Sequence, residues 1–552
     1  MSLLDTASLI VTPNGYKEGK LYSVIPSDGS GDMSVVRATT ATRVNSAGLV
    51  ELVPYNLLEQ SSAFNISPWV NSGVTLTSGI TDVNGGNKAF GFQCSATTSY
   101  IYNLISSTIG VQYTHSVYVR AVSGTKSIRI SDAYQGGGVN TTITTEWQRI
   151  TLTLTATGNN IGFQIDNNFG AYATDIYICF AQTEQGATAT DYYPTETRLN
   201  IPRLDYSNGT CPSLLVEPQR TNLLTWSSSF DNASWDEVNA SINANNTTSP
   251  DGTQNADKII EDNTTNVHHI KFANGITPSG TNTLSVYAKA SERNWIWLYL
   301  FDGGAGSLFA WFDVSNGTLG SVNSGLTATI EDANNGWYRC TITRTQGATG
   351  NGGFGITNAN AVITYTGNGT SGAFFYGAQL EVGSYPTSYI PTTSASVTRN
   401  ADVISKTGIS SLIGQTEGTM FMDCKINALP IDGSLFGIQK TASNFVIRFG
   451  SQGNNIYAQC FNGSSNLFFE ATSYTLGSRV KVAFAYKLGS YAFYINGVQI
   501  AIGSNATAIP ACDETMFNSL WGNFNNSLSF YNSAALWQTR LDNATLAQLT
   551  TI

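Results

Sequence analysis

Residues 54–69 read PYNLLEQSSAFNISPW, and residues 220–235 read RTNLLTWSSSFDNASW. Asn56, Leu57, Leu58, Phe64 and Trp69 answer Asn222, Leu223, Leu224, Phe230 and Trp235 at one offset. The correspondence continues outward. SVYVRA at Ser116 answers SVYAKA at Ser285, and EWQRITLT at Glu146 answers GWYRCTIT at Gly336. The two stretches close on AQTEQGATATDYYPT from Ala181 and AQLEVGSYPTSYIPT from Ala378. Matches at start, middle and end, in one order, mark duplication of a whole domain. A tandem copy is uncommon for a catalytic unit. It is common where presentation in many copies raises avidity.

Both copies consist of short alternating segments separated by Gly, Asn and Asp, such as THSVYVRAV, NTLSVYAKA and LFAWFDV. A period of two predicts strands, and the regular turn signals predict antiparallel β-sandwiches. Neither copy contains an amphipathic helix. The composition agrees. Only 12% of the 552 residues are charged, about half the usual soluble share, while 11% are aromatic and 53 are Gly. A net charge of −10 without any basic cluster argues against nucleic acid or an anionic membrane as partner. No apolar run reaches membrane-spanning length.

The seven Cys are scattered, with no C-x-x-C pair, and read as free thiols formed in a reducing compartment. The N-terminus MSLLDTASLIVTPNGYKEG lacks the charged start and apolar core of a signal peptide. The expectation is synthesis in the cytoplasm.

Four units are predicted. Residues 1–50 stand apart as an N-terminal segment, 51–198 form the first sandwich, 199–400 the second, and 401–552 an unduplicated ending. Related junctions precede each new unit: ATTATRVN at 38–45, TETRLN at 195–200 and SVTRN at 396–400. These read as extended linkers that fix how successive modules join. In the ending, RVKVAFAYKLGSYAFYINGVQIAIG from Arg479 predicts three antiparallel strands with a tight turn at Asn496–Gly497. The last residues predict a closing strand and a short helix capped by Asp542 or Asn543.

The ending resembles the laminin-G and concanavalin-like lectin sandwich, on FAYKLGSYAFYINGVQIA and the terminal ALWQTRLDNATLAQL. The copies resemble the carbohydrate-binding-type jelly-roll modules of bacteriophage structural proteins, on NLLxxSxxF…W and GAQLEVGSYPTSYIPT. The resemblance implies an all-β fold of tandem jelly-roll sandwiches with a C-terminal lectin-like domain. It implies a head or tail fibre protein of a tailed phage that adheres to cell-surface or environmental glycans. Such a protein would dock on other virion proteins through its N-terminal segment, favour a homotrimer, and leave the cell by lysis. Two other readings stand beside it: an architectural virion protein that binds no sugar, and accessory carbohydrate-binding modules of a polysaccharide-degrading protein.

Enzyme signatures are scarce, and no catalytic residue is assigned. His115 lies within a strand pattern and reads as packing. His268 and His269 are adjacent on a strand and so point to opposite faces, which disfavours one shared metal ion. GATGNGG at Gly347 and GNGTSG at Gly367 precede no helix and read as turns. Asp313 and Asp432 are isolated, so structural calcium has no dense carboxylate cluster behind it. No cofactor is implied.

The aromatics are the better lead. Trp69/Trp235 and Trp147/Trp337 occur in both copies and read as core. Trp226, in place of Gln60, is private to the second copy, as are Trp295, Trp297 and Trp311. In NWIWLYLF, Trp295, Trp297, Tyr299 and Phe301 fall on one strand face, and Ile296, Leu298 and Leu300 on the other. The aromatic face has three uses: sugar platform, subunit interface or core. In the ending, Trp521, Asn523 and Asn525 lie in WGNFNN, a pattern that suits sugar hydroxyls and equally suits turns. The candidate ligand-binding residues are therefore Trp226, Trp295, Trp297, Tyr299, Trp311, Trp521, Asn523 and Asn525.

Overall fold

A computed structural model describes residues 3–107, 109–167, 175–272, 276–428, 432–441, 444–520, 523–524 and 527–552, without the side chains of 432, 520, 523 and 524. The fold is all-β: two tandem jelly-roll-type antiparallel sandwiches and a concanavalin/laminin-G-like sandwich.

The first module packs two five-stranded sheets face to face. One runs Gln148–Thr155, Gln112–Ala121, Ile176–Gln185, Ala89–Cys94, Val74–Ile80. The other runs Gly138–Ile143, Lys126–Asp132, Asn160–Asp166, Tyr100–Ser106, Val70–Ser72. The second module repeats this plan with six strands per sheet. Its second sheet runs Trp235–Val238, His268–Phe272, Gly350–Thr357, Trp295–Asp302, Gly306–Asp313, Thr318–Val322.

The repeated motifs have a physical explanation: each module's beginning is bonded to its end. Asn56 Nδ2 donates to the carbonyls of Ala181 (3.2 Å) and Tyr193 (2.8 Å). Asn222 Nδ2 donates to those of Ala378 (3.1 Å) and Ile390 (2.9 Å). Ser61 Oγ meets the Tyr192 hydroxyl at 2.8 Å, and Ser227 Oγ meets that of Tyr389 at 2.6 Å. The apolar half of the motif fills the core. Phe64 packs on Trp69 with ring centroids 4.9 Å apart, and Phe230 on Trp235 at 5.1 Å. The NLL…F…W and AQ…Y…PT sequences are thus two halves of one clasp.

Residues 1–50 do not stand apart, which corrects the sequence reading. Leu9–Lys17, Lys20–Ile25 and Met33–Val36 are strands of the C-terminal sheet. So are Arg203–Asp205 and Ser213–Val216, from the segment between the modules. The strand Leu528–Trp537 pairs along one edge with Glu417–Ala428. Its other edge is divided, pairing Leu536 with Leu9 at one end and Tyr531 with Leu214 at the other. Leu9, Val11, Leu21, Met33, Leu204, Leu214 and Val216 share one apolar core with the 401–552 strands. Three chain regions therefore build the C-terminal sandwich, with the modules looped out between them. The turn at Asn496–Gly497 and the Asn543–Thr550 helix form as the sequence predicts, the helix capped by Asp542 accepting from Thr545 N.

The junction segments meet in a buried ionic cluster. Arg37 Nη1 donates to Asp402 (3.0 Å), Arg203 bridges Glu217 (2.6 Å) and Asp402, and Arg399 bonds Glu217. Ser388 donates to Glu217 through both N (2.8 Å) and Oγ (2.7 Å). All five charged side chains are at most 2% exposed. Spare guanidinium donors reach the carbonyls of Thr39, Ile201 and Pro218.

Candidate functional site

The strand Trp295–Asp302 divides as its alternation predicts. Ile296, Leu298 and Leu300 are fully buried in the second module's core. Trp297, Tyr299 and Trp311 form a separate cluster on the opposite face of the sheet, joined by Trp295, Phe301, Phe309 and Ile363. The rings run as a continuous surface. Trp297 lies 5.7 Å from Tyr299 and 5.5 Å from Phe309, and Phe309 stacks on Tyr299 at 5.7 Å.

The neighbouring strand Gly350–Thr357 makes this face concave. Gly353 pairs with Tyr299 and Gly355 with Trp297, so no side chain stands between them and the next strand. A Cβ on Gly355 would lie 2.6 Å from the Trp297 ring and 2.7 Å from His269 Cβ. The absence of those atoms lets His269 approach Trp297 to 5.3 Å between ring centroids. The result is a trough of about 440 Å³. Its rim carries Lys271, Ser307, Asn351 and Ile363. The sequence reading of GATGNGG as a turn holds for residues 347–349 and is corrected beyond them, since Gly350–Gly353 begin a strand. The available signal was Gly at 353 and 355, both on the face opposite the core.

Burial, with help from the charges of Lys271 and His268, pushes His269 down to about 4, so the imidazole is neutral at pH 7. Its Nδ1 is buried without a partner. Burial pushes Tyr299 up to about 12, so its hydroxyl stays protonated and can donate. His268, on the opposite face, is fully buried, with its ring nitrogens at the carbonyls of Asn239 (2.7 Å) and Tyr365 (3.3 Å). The surface therefore offers an aromatic floor with a few uncharged polar groups and one ammonium. That combination suits a ligand with apolar C–H faces and hydroxyl edges.

Among the described residues, the first module builds the same face differently. Phe163 and Phe354 each pack edge-on against the shared Trp69 or Trp235, which aligns the two sheets. By strand register, Ser131 stands where Trp297 does, Gln164 where Gly355 does, and Tyr102 where His269 does. Ser131, Gln164 and Asp166 bond to one another and close the face with polar groups.

The other candidates fall as follows. Trp297 and Trp311 are 2% and 6% exposed and form the floor, with the Trp311 indole bonded to the Val362 carbonyl at 2.9 Å. Trp295 packs over Gly320 at the sheet's edge. Trp226 is not in the cluster. It occupies the left-handed turn position that Gln60 holds in the first module, where its carbonyl accepts from the Trp235 indole at 3.1 Å. Trp521 and Asn525 lie outside the described residues. Asn523 lies in a two-residue strand, and its side chain lies outside them. Asp313 caps its own turn by accepting from Ser315 and Asn316. Among the described residues, no three His, Cys, Asp or Glu side chains gather in a metal-holding group.

No protein-family model matches the chain, and no curated protein matches it. Several solved structures are similar over a part. Streptococcus pneumoniae NanB sialidase shares 16% identity over 27% of this chain and 26% of its own, with a TM-score of 0.24. The CBM40 module of Ruminococcus gnavus IT-sialidase, bound to α2,3-sialyllactose, shares 13% over 26% of this chain and 86% of its own, with a TM-score of 0.23. The botulinum neurotoxin type G receptor-binding domain shares 12% over 26% and 38%, with a TM-score of 0.22. The chain spans about a quarter of the sialidase's length.

Proposed function

We propose that this protein is a non-catalytic glycan-binding protein whose second module seats a saccharide in the aromatic trough. One observation carries the reading: among the described residues, the aromatic face is built in the second of two copies of the same sandwich and replaced by Ser131, Gln164 and Asp166 in the first. A shared folding requirement would have produced it in both. Its volume, about 440 Å³, lies within the range of small-molecule sites. Pyranose C–H faces would lie on Tyr299 and Phe309, with hydroxyls toward His269, Lys271 and Asn351.

The resemblance of the copies and the ending to phage modules extends the proposal to an adhesin of a tailed-phage virion. Individually weak sites there act through avidity. A homotrimer is part of that proposal, testable by the mass of the purified chain in solution. Because Leu9–Val36 is built into the C-terminal sheet, docking on other virion proteins would use that sandwich rather than a free N-terminal arm.

The test is a glycan array with the full chain, followed by titration of hits with Phe309→Ala and Phe301→Ala. Both side chains are partly buried at the trough surface. The expected result is binding that weakens tenfold or more in both variants. Binding that ignores both would remove the trough reading. No binding at any display density would favour an architectural protein that packs this face on a neighbour.

A further inference from the structure

A second cavity lies between the two jelly-roll modules. It is a cleft of about 450 Å³, walled by Asn103–Ser106 of the first module and by Asp251, Asn255 and Tyr376 of the second. The 41–53 hairpin and Arg198 contribute to its lining.

Three features mark it as more than a gap left by packing. Asn255 is only 6% exposed, yet its Oδ1 has no hydrogen-bond partner, while its Nδ2 is held by Asp251 at 2.9 Å. The amide is thereby fixed with an acceptor left over, a costly arrangement for a buried group. Arg198 reaches the same space from a left-handed backbone position (φ 61°), and its Nε is buried without a partner. Finally, Val70–Ser72 covers the edge of the neighbouring strand only along Tyr100–Tyr102. Ser107 N bonds to Asn159 O on the other side. By alternation, the N–H and C=O groups of Leu104 and Ser106 face the open edge and the cleft.

Unfilled donors and acceptors thus converge from both modules on one space. Of its lining carboxylates, Glu51 is paired with Arg43 at 2.8 Å and Asp251 already accepts from Ser249, Thr253, Asn255 and Tyr376, so three acids, with Glu59, stand against the two cations Arg43 and Arg198. The acids remain in excess, so an anionic ligand would meet net repulsion, whereas neutral hydroxyls can donate to Glu59 and Asn255 Oδ1 and accept from Arg198.

We propose that the inter-module cleft is a second binding site, for a neutral, hydroxyl-rich ligand of one or two sugar units that bridges the modules. This site stands independently of the aromatic trough.

The experiment titrates the full chain with lactose and maltose as neutral probes and 3′-sialyllactose as the anionic one, followed by calorimetry and saturation-transfer NMR. The variants are Asn255→Leu and Arg198→Met in the cleft and the exposed Glu59→Gln at its lip, each made in a Phe309→Ala background that disables the trough. At least one neutral probe is expected to bind. In the Phe309→Ala background, which removes the trough's share of binding, the remaining affinity should fall tenfold or more in Asn255→Leu and Arg198→Met and several-fold in Glu59→Gln. Should a cleft variant misfold, Glu59→Gln alone decides, because its side chain is on the surface. The proposal is overturned if no neutral probe binds, if the anionic probe is preferred, or if Phe309→Ala by itself abolishes binding and the cleft variants change nothing. The last outcome would leave the trough reading intact.

Discussion

Replacing Glu217 with Gln tests the cluster that holds the junctions together. Glu217 accepts from Arg203, Arg399 and both the N and Oγ of Ser388, and its side chain is 1% exposed. Burial alone would raise its carboxyl, but Arg399, Arg203 and Ser388 outweigh burial and hold it down from 4.5 to about 2. That difference is worth about 3 kcal/mol at neutral pH. It lies at the low end of the cost of removing one partner from a buried ion pair, about 3–5 kcal/mol. For a unit of 150–250 residues, each kcal/mol moves the melting temperature by about 2–4 °C, giving a fall of about 6–12 °C. The pH dependence is a second check. A carboxyl with a depressed folded pKa binds fewer protons folded than unfolded. Its contribution is whole above pH 4.5 and vanishes as the pH falls toward 2. The gap between wild type and Glu217→Gln should therefore close across that window. Scanning calorimetry of the full chain is the assay, because it resolves transitions of a multi-domain chain that a single melting probe would merge. The first module's sandwich contributes no residue to the cluster, and its transition serves as the internal control. A shift below about 2 °C at pH 7, or one that persists unchanged at pH 2, would refute the reasoning.

Other predictions follow from buried groups. His115 is fully buried, with Nε2 3.4 Å from Asp132 Oδ2 and Nδ1 2.7 Å from Thr183 Oγ1. Burial lowers its pKa, so the unfolded chain takes up a proton below about pH 6.5 that the folded chain resists. The first module should lose stability as the pH falls from 7 to 5, and His115→Leu should flatten that slope in calorimetry; an unchanged slope contradicts the assignment. Cys211 is the one exposed thiol of the seven, and burial pushes Cys94 up to about 11 and Cys179 to about 12. A thiol-reactive dye should label one site rapidly in the native chain and none in Cys211→Ser; a second rapid site would count against the packing described.

The duplicated motif was legible because its two halves are read locally and repeat. Asn56 and Asn222 bond the same carbonyl positions, so one sequence pattern meant one clasp twice. The aromatic face was legible for a similar reason, since period-two alternation alone separates Trp297 and Tyr299 from Leu298 and Leu300. The trough was not legible, because its concavity comes from Gly353 and Gly355 on a strand more than 50 residues away. Glycines in a row read as a turn until the pairing partner is known. The equivalence of Trp226 with the other private tryptophans failed similarly, because its turn position sets it apart from the cluster.

The sequence by itself determined that the chain is built almost wholly of β-strands, that one sandwich is built twice, and which face of the Trp295–Asp302 strand is aromatic. Those properties follow from side-chain period and turn chemistry, which act over a few residues. Only the tertiary structure decided that Leu9–Val36 and Arg203–Val216 belong to the same sandwich as residues 401–552. It also decided that three arginines and two acids from the junctions share one buried site, and that a cleft opens between the modules. Strand edges carry backbone groups that pair with any suitable partner, so the choice rests on which apolar faces can be buried together across hundreds of residues. Local sequence does not encode that choice.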